Sequence, residues 1–234
     1  MKNFWKNLDN FWYHYKWHVI FTVFFLSVFL ICTVQCMQKE DPDAMILYSG
    51  PSVLTAEGRS ALGKILSGRL EEDHNGDGNK IVSLTDVVIL SDAQIKEREE
   101  AAKEEGDSIY YDPTTREPSF NQVKNWLVSG EMMIAILDPF VYERFSSQAL
   151  FVPLAEIYGG EDAVPSAAYD ACAVSLDQLD FVEYNPAMKE AFAGAVICLI
   201  KPTVTSMMSG NDGEAWYNAH LSLFRRIVDF EVVD

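Results

Sequence analysis

Residues 19–34, VIFTVFFLSVFLICTV, contain no charged side chain, and apart from Cys32 only Thr and Ser interrupt the apolar run. In the wider window Trp17–Met37, a helical rise of roughly 1.5 Å per residue spans about 30 Å, the thickness of a bilayer core. The expectation is one membrane-spanning helix at residues 17–37.

Lys2, Lys6 and Lys16 precede the run against a single Asp9, while Glu40, Asp41 and Asp43 follow Lys39. Cytoplasmic flanks carry the excess of Lys and Arg. The N-terminus is therefore expected in the cytoplasm and the bulk of the chain outside the cell. A cleaved signal peptide is the competing reading. No small-x-small site follows the apolar core, and Gln35 stands where a lipoprotein site needs a small residue before Cys36. An uncleaved single-pass anchor fits better.

Residues 1–16 are rich in aromatic side chains, with Phe4, Trp5, Leu8, Phe11, Trp12 and Tyr15 at spacings of one, three and four. Two readings stand, an interfacial helix leading into the span and an ordinary aromatic belt. The polar, proline-bearing residues 38–44 form a short stalk, and residues 45–234 are long enough for one good-sized core.

The whole chain carries a formal charge of −17 and residues 1–37 carry +2, so residues 38–234 carry −19. So acidic a domain is unsuited to nucleic acid or anionic lipid and suited to cations and basic partners. Of the four cysteines, Cys172 and Cys198 lie beyond the apolar run. They pair in an oxidising exterior or stay as buried thiols, and the apolar surroundings of Cys198 favour thiols.

Short apolar runs predict buried strands in AMILYSG (44–50), EMMIAILDP (131–139), ACAVSL and AVICLIKP, and β-branched residues mark another strand in KIVSLTDVVIL (80–90). Helices are expected between them, with Thr55 as one N-cap, Ser91 with Gln94 and Ser119 with Gln122 as capping boxes, and Asn185–Pro186 as a cap and first-turn pair. The helix after Ser91 is polar almost all round and reads as a solvated surface element. Strands alternating with helices argue for an α/β sandwich.

DHNGDGN (73–79) places Asp73, Asn75 and Asp77 at the first, third and fifth ligand positions of a calcium loop, Gly78 at the sixth and the Asn79 carbonyl at the seventh. The twelfth position is Leu84, where a bidentate Glu belongs. A glycine-bearing turn explains the segment and is the favoured reading. Calcium is the one cofactor the sequence suggests, as a brace for the loop.

Only His74 and His220 lie beyond the anchor, and neither has a second His at metal-ligand spacing. No G-x-S-x-G elbow, phosphate loop or zinc-type Cys pair occurs. The expectation is a non-catalytic protein. Ligands of open α/β sheets gather beyond the carboxyl ends of the strands, which makes Tyr48, Ser49, Ser52 and Asp138 the candidate ligand-facing rim. Helix capping by Ser52 and Asp138, and ordinary strand-end polarity for the other two, is the alternative.

With YHYKWHVIF entering the span, followed by ILYSG, DHNGDGNKIV, MMIAILDP and AVICLIKP, the chain resembles small membrane-tethered exterior proteins of Gram-positive bacteria. Their soluble part is similar to a reduced type 2 periplasmic-binding (extracellular solute-binding) fold. The resemblance implies a mixed sheet flanked by helices and binding of a solute or an envelope protein at the strand ends. Residues 38–234 are short for two complete lobes, so a closing cleft is not implied.

Overall fold

The computed structural model describes residues 2–37, 41–108, 111–203 and 211–232. It divides into two compact units, residues 1–41 and 42–234.

The first unit is one continuous helix, α1 (Lys2–Met37). Within it Trp12–Val34 is long and apolar enough to cross a membrane, and no part of that stretch is buried. Two of its polar interruptions are satisfied internally: the Ser27 hydroxyl donates to the Val23 carbonyl and the Thr33 hydroxyl to the Phe29 carbonyl, each at 2.8 Å. Such i−4 bonds pair these hydroxyls within the helix.

The second unit is built on five strands: β1 (Ala44–Gly50), β2 (Val82–Val88), β3 (Ile134–Leu137), β4 (Ala173–Ser175) and β5 (Val196–Leu199). Their order across the sheet is β2-β1-β3-β5-β4. β1 runs parallel to both β2 and β3, while β5 is antiparallel to β3 and to β4. The sheet is therefore mixed, within the α/β class that the alternating pattern predicts.

Period-two alternation sends neighbouring side chains to opposite faces. Ile46, Tyr48, Ile134, Ile136, Ile197 and Leu199 enter one core, with Leu62 and Leu66 of α2 (Ala56–Ser67). Leu47, Ala135, Leu137, Val196 and Cys198 enter the other, with Phe120, Val123 and Leu127 of α4 (Arg116–Ser129) and Val141, Tyr142 and Phe145 of α5 (Pro139–Ser146). Three short helices, α6 (Leu154–Tyr158), α7 (Asp180–Tyr184) and α8 (Pro186–Ala191), and the long α9 (Asn211–Val228) complete the first face.

α9 buries Leu223, Phe224 and Ile227, each worth about 1.5–3 kcal/mol of apolar transfer. By contrast α3 (Asp92–Glu104) buries only Ala102, so it is a solvated helix, as its sequence predicts.

Two expected caps differ. α4 begins at Arg116 because the 3-10 turn Pro113–Thr115, capped by Asp112, runs straight into it. Ser119 therefore lies inside the first turn and donates to the Thr115 carbonyl at 3.0 Å instead of opening a capping box. The Asn185 side chain makes no cap bond to α8. Its amide donates back to the Phe181 carbonyl at 2.7 Å, closing α7 instead. The entry to α9 through SGNDG lies partly outside the described residues.

Candidate functional site

The chain leaves β1 for β2 on one side and returns to β3 on the other, so the winding direction reverses at β1. In open α/β sheets ligands bind outside the carboxyl ends of the strands at such a reversal. Gly50, Asp138 and the residues after Val88 meet here. All four candidate rim residues fall at this end of the sheet, and the structure gives each a definite partner.

Ser49 is wholly buried. Its hydroxyl donates to the Val87 carbonyl at 2.9 Å, and its carbonyl accepts the Asp138 amide at 2.8 Å. It joins three strand ends and faces inward.

Tyr48 points to the opposite face, where its ring packs on Phe192 with centroids 4.9 Å apart. The side chain folds back over Gly50, where an added Cβ would lie 2.8 Å from the Tyr48 hydroxyl oxygen. Glycine at position 50 is required by that close approach. The hydroxyl oxygen accepts the Ser52 amide at 3.1 Å. Burial pushes the phenol above its ordinary pKa, its hydrogen bonding with Ser52 pulls it down, the Asp138 carboxylate raises it and the Arg98 guanidinium lowers it. Both charged groups therefore act on the same hydroxyl.

Asp138 is 8% exposed. Its Oδ1 accepts the Phe140 amide at 2.9 Å, capping α5, and its Oδ2 accepts Gln94 Nε2 at 2.9 Å. The N-terminal capping box of α3 fixes that second bond. Gln94 Oε1 accepts the Ser91 amide at 2.8 Å while Ser91 Oγ accepts the Gln94 amide, so the remaining Nε2 is directed outward to Asp138. One turn further along α3, Arg98 Nη2 donates to the Pro51 carbonyl at 2.6 Å. Arg116 adds an ion pair from the start of α4 to Asp92 at 2.7 Å, and Arg59 of α2 pairs with Asp86 of β2.

Gln94, Arg98 and Phe192 complete the rim and are not among the residues expected there. The Ser91–Gln94 spacing is visible in the sequence, and Arg98 stands four residues after Gln94 on the same helical face. Phe192 carries no such signal. Val53, next to Ser52, is 67% exposed.

The 73–79 loop is shaped by side-chain to backbone bonds. Asp73 Oδ1 accepts the Gly76 amide and Oδ2 the Gly78 amide, both at 2.7 Å. Asn75 Oδ1 accepts the Asp77 amide at 2.9 Å, and Asp77 Oδ1 the Asn79 amide at 2.7 Å. Amide donation, from Gly78 most of all, holds the Asp73 carboxyl below its ordinary pKa. Gly76 and Gly78 take φ of 72° and 89°, the left-handed region glycine enters without strain.

Underneath the loop lies Asp43, wholly buried. Its Oδ1 accepts the amides of His74 (2.7 Å) and Asn75 (3.2 Å), and its Oδ2 that of Ile81 (2.8 Å). Leu84, at the twelfth position, is buried in β2. Among the described residues no group of three or more His, Cys, Asp and Glu side chains is placed to hold a metal ion.

Cys172 and Cys198 are free thiols. Burial raises both above their ordinary pKa, and the Asp170 carboxylate adds to the rise. They stay protonated and weakly nucleophilic.

No protein-family model, curated protein or solved structure matches this chain.

Proposed function

We propose that the chain is a single-pass membrane-anchored module whose domain lies outside the cell and binds a solute or protein partner at the carboxyl end of the sheet, without catalysis. The observation that carries this reading is the reversal at β1, which brings Tyr48, Ser52 and Asp138 from two strand ends to one rim. Anchoring is supported by the apolar Trp12–Val34 stretch of α1, and the outward orientation by the basic residues before it and acidic residues after it.

A binding role fits better than chemistry because the side chains of Tyr48, Ser49 and Asp138 are each engaged in a hydrogen bond that orders the scaffold. Tyr48 holds Ser52, Ser49 joins β2, and Asp138 caps α5. The mixed sheet with helices on both faces supports the finer reading of a reduced, single-lobed relative of the type 2 periplasmic-binding fold.

A thermal-shift screen of the full chain in detergent, using small solutes and envelope-derived peptides, tests the proposal. A ligand that raises Tm of the wild type and fails to do so with Ser52→Trp supports it. A screen in which no compound depends on Ser52 overturns it.

A second reading, an assembly protein of the envelope with a calcium-braced loop, is favoured by one contact. Asp43, immediately before β1, holds the 73–79 loop directly, so an ion held by Asp73, Asn75, Asp77 and the Asn79 carbonyl would stiffen the start of the domain. Millimolar calcium should then raise Tm, and Asp77→Ala should abolish the rise. No rise in the wild type rejects this reading.

A further inference from the structure

The rim of the proposed binding module has a chemical bias that its candidate residues do not reveal one by one. On the sheet side it presents acceptors, namely Oδ2 of Asp138 and the Pro51 carbonyl. What meets these acceptors is a pair of donors from a single face of α3, the Gln94 amide at 2.9 Å and the Arg98 guanidinium at 2.6 Å.

α3 is the helix least committed to the core. Ala102 is its one buried side chain, so its seat on the rim rests on polar contacts at Gln94, Arg98 and Asp92. A segment held by partly exposed polar bonds, with little apolar burial, opens more readily than the core elements. Arg98 has no carboxylate partner among the described residues. Its guanidinium donates to a neutral carbonyl, which leaves it replaceable by another guanidinium. The domain around it carries strong negative charge, which concentrates cations at its surface.

We infer that the rim is a site for a guanidinium group, and that in this conformation the chain's own Arg98, with Gln94 beside it, occupies that site under α3 as a displaceable cover. The inference rests on the reading of the rim as a binding surface and adds the ligand's chemistry and its self-occlusion. An incoming guanidinium takes the Pro51 carbonyl and the Asp138 carboxylate, and α3 lifts as Arg98 and Gln94 are displaced.

The test uses the full chain in detergent, a fluorescent hexapeptide of alternating Arg and Gly, a matched Glu–Gly peptide, and free arginine amide. Binding is read by anisotropy and competition, and the state of α3 by amide hydrogen exchange over residues 92–104. The Arg peptide should bind in preference to the Glu peptide and speed exchange across 92–104. Arg98→Ala removes the internal competitor from an exposed position and should tighten binding about tenfold if the covered state is about 90% populated. Asp138→Asn keeps a capping side chain at the start of α5 and should lose the binding. Competition by arginine amide as well as peptide marks the guanidinium alone as the ligand, whereas competition by peptide only marks a peptide-borne group.

Equal binding of the Arg peptide to Asp138→Asn shows attraction by overall charge and overturns the site. Unchanged or weakened binding with Arg98→Ala, while exchange over 92–104 rises, overturns self-occlusion. An uncharged or acidic solute whose Tm shift is lost with Ser52→Trp, when the Arg peptide binds no form of the protein, overturns the guanidinium site and leaves the rim reading standing.

Discussion

His220 Nε2 accepts the Met45 backbone amide at 3.0 Å, joining α9 to the second residue of β1 across nearly the whole length of the domain sequence. The other ring nitrogen, Nδ1, lies 2.8 Å from the Trp216 carbonyl. A carbonyl only accepts and an amide only donates, so both contacts are satisfied by one neutral tautomer, protonated at Nδ1.

Acid should therefore weaken the fold through His220. Burial holds its pKa down to about 4 from an ordinary 6.5, with the hydrogen bond to the Trp216 carbonyl opposing the drop and His74 adding to it. The unfolded chain binds the proton more tightly, so the stabilisation is complete above pH 6.5 and is lost as pH falls from 6.5 to 4. Its full size is about 3 kcal/mol. Tm measured against pH should fall through that window in the wild type. In His220→Gln, whose amide oxygen can still accept from Met45, the fall should shrink, and an unchanged pH profile would show that other groups carry it.

Asp43→Ala should be among the most damaging single changes in the domain. It strips the acceptor from three amides, those of His74, Asn75 and Ile81, at about 1 kcal/mol or more for each amide left unpaired. The expected loss is about 3 kcal/mol in urea unfolding, with Asp43→Asn milder because one oxygen remains. A loss under about 1 kcal/mol would mean that water reaches those amides.

Gly50 and Tyr48 should be coupled. Gly50→Ala drives a methyl to 2.8 Å from the Tyr48 hydroxyl oxygen, and that oxygen cannot move without releasing the Ser52 amide. Gly50→Ala should cost about 1–2 kcal/mol in the wild type. It should cost clearly less in Tyr48→Phe, where the clashing oxygen is gone. A double-mutant cycle measures the difference, and strict additivity would show that Tyr48 does not fold over Gly50.

The centre of the sheet is legible in the sequence because β3 and β5 are buried on both faces. IAIL and VICL are uninterrupted apolar runs, and they can be read from composition for the same reason that the core accepts them. Likewise Ser91 and Gln94 disclose the start of α3 through local spacing. What escapes is long-range. Asp43 meets residues 31, 32 and 38 positions away, and Gln94 meets Asp138 only because the winding reverses at β1. Such pairs are made by topology, and no local pattern marks them. Ser119 misleads because a capping-box spacing does not say where the helix starts, and Pro113 has already started the turn upstream.

Labelling of a single cysteine at Val53 tests the central claim most directly. Val53 stands beside Ser52 at the rim and is 67% exposed, so Val53→Cys, with the native cysteines replaced, reports on which side of the membrane the rim lies. A membrane-impermeant maleimide added to intact cells should label the protein, which should stay in the membrane fraction. Labelling that occurs only after lysis, or a labelled product released from the membrane, would contradict an anchored module that displays its rim outside the cell.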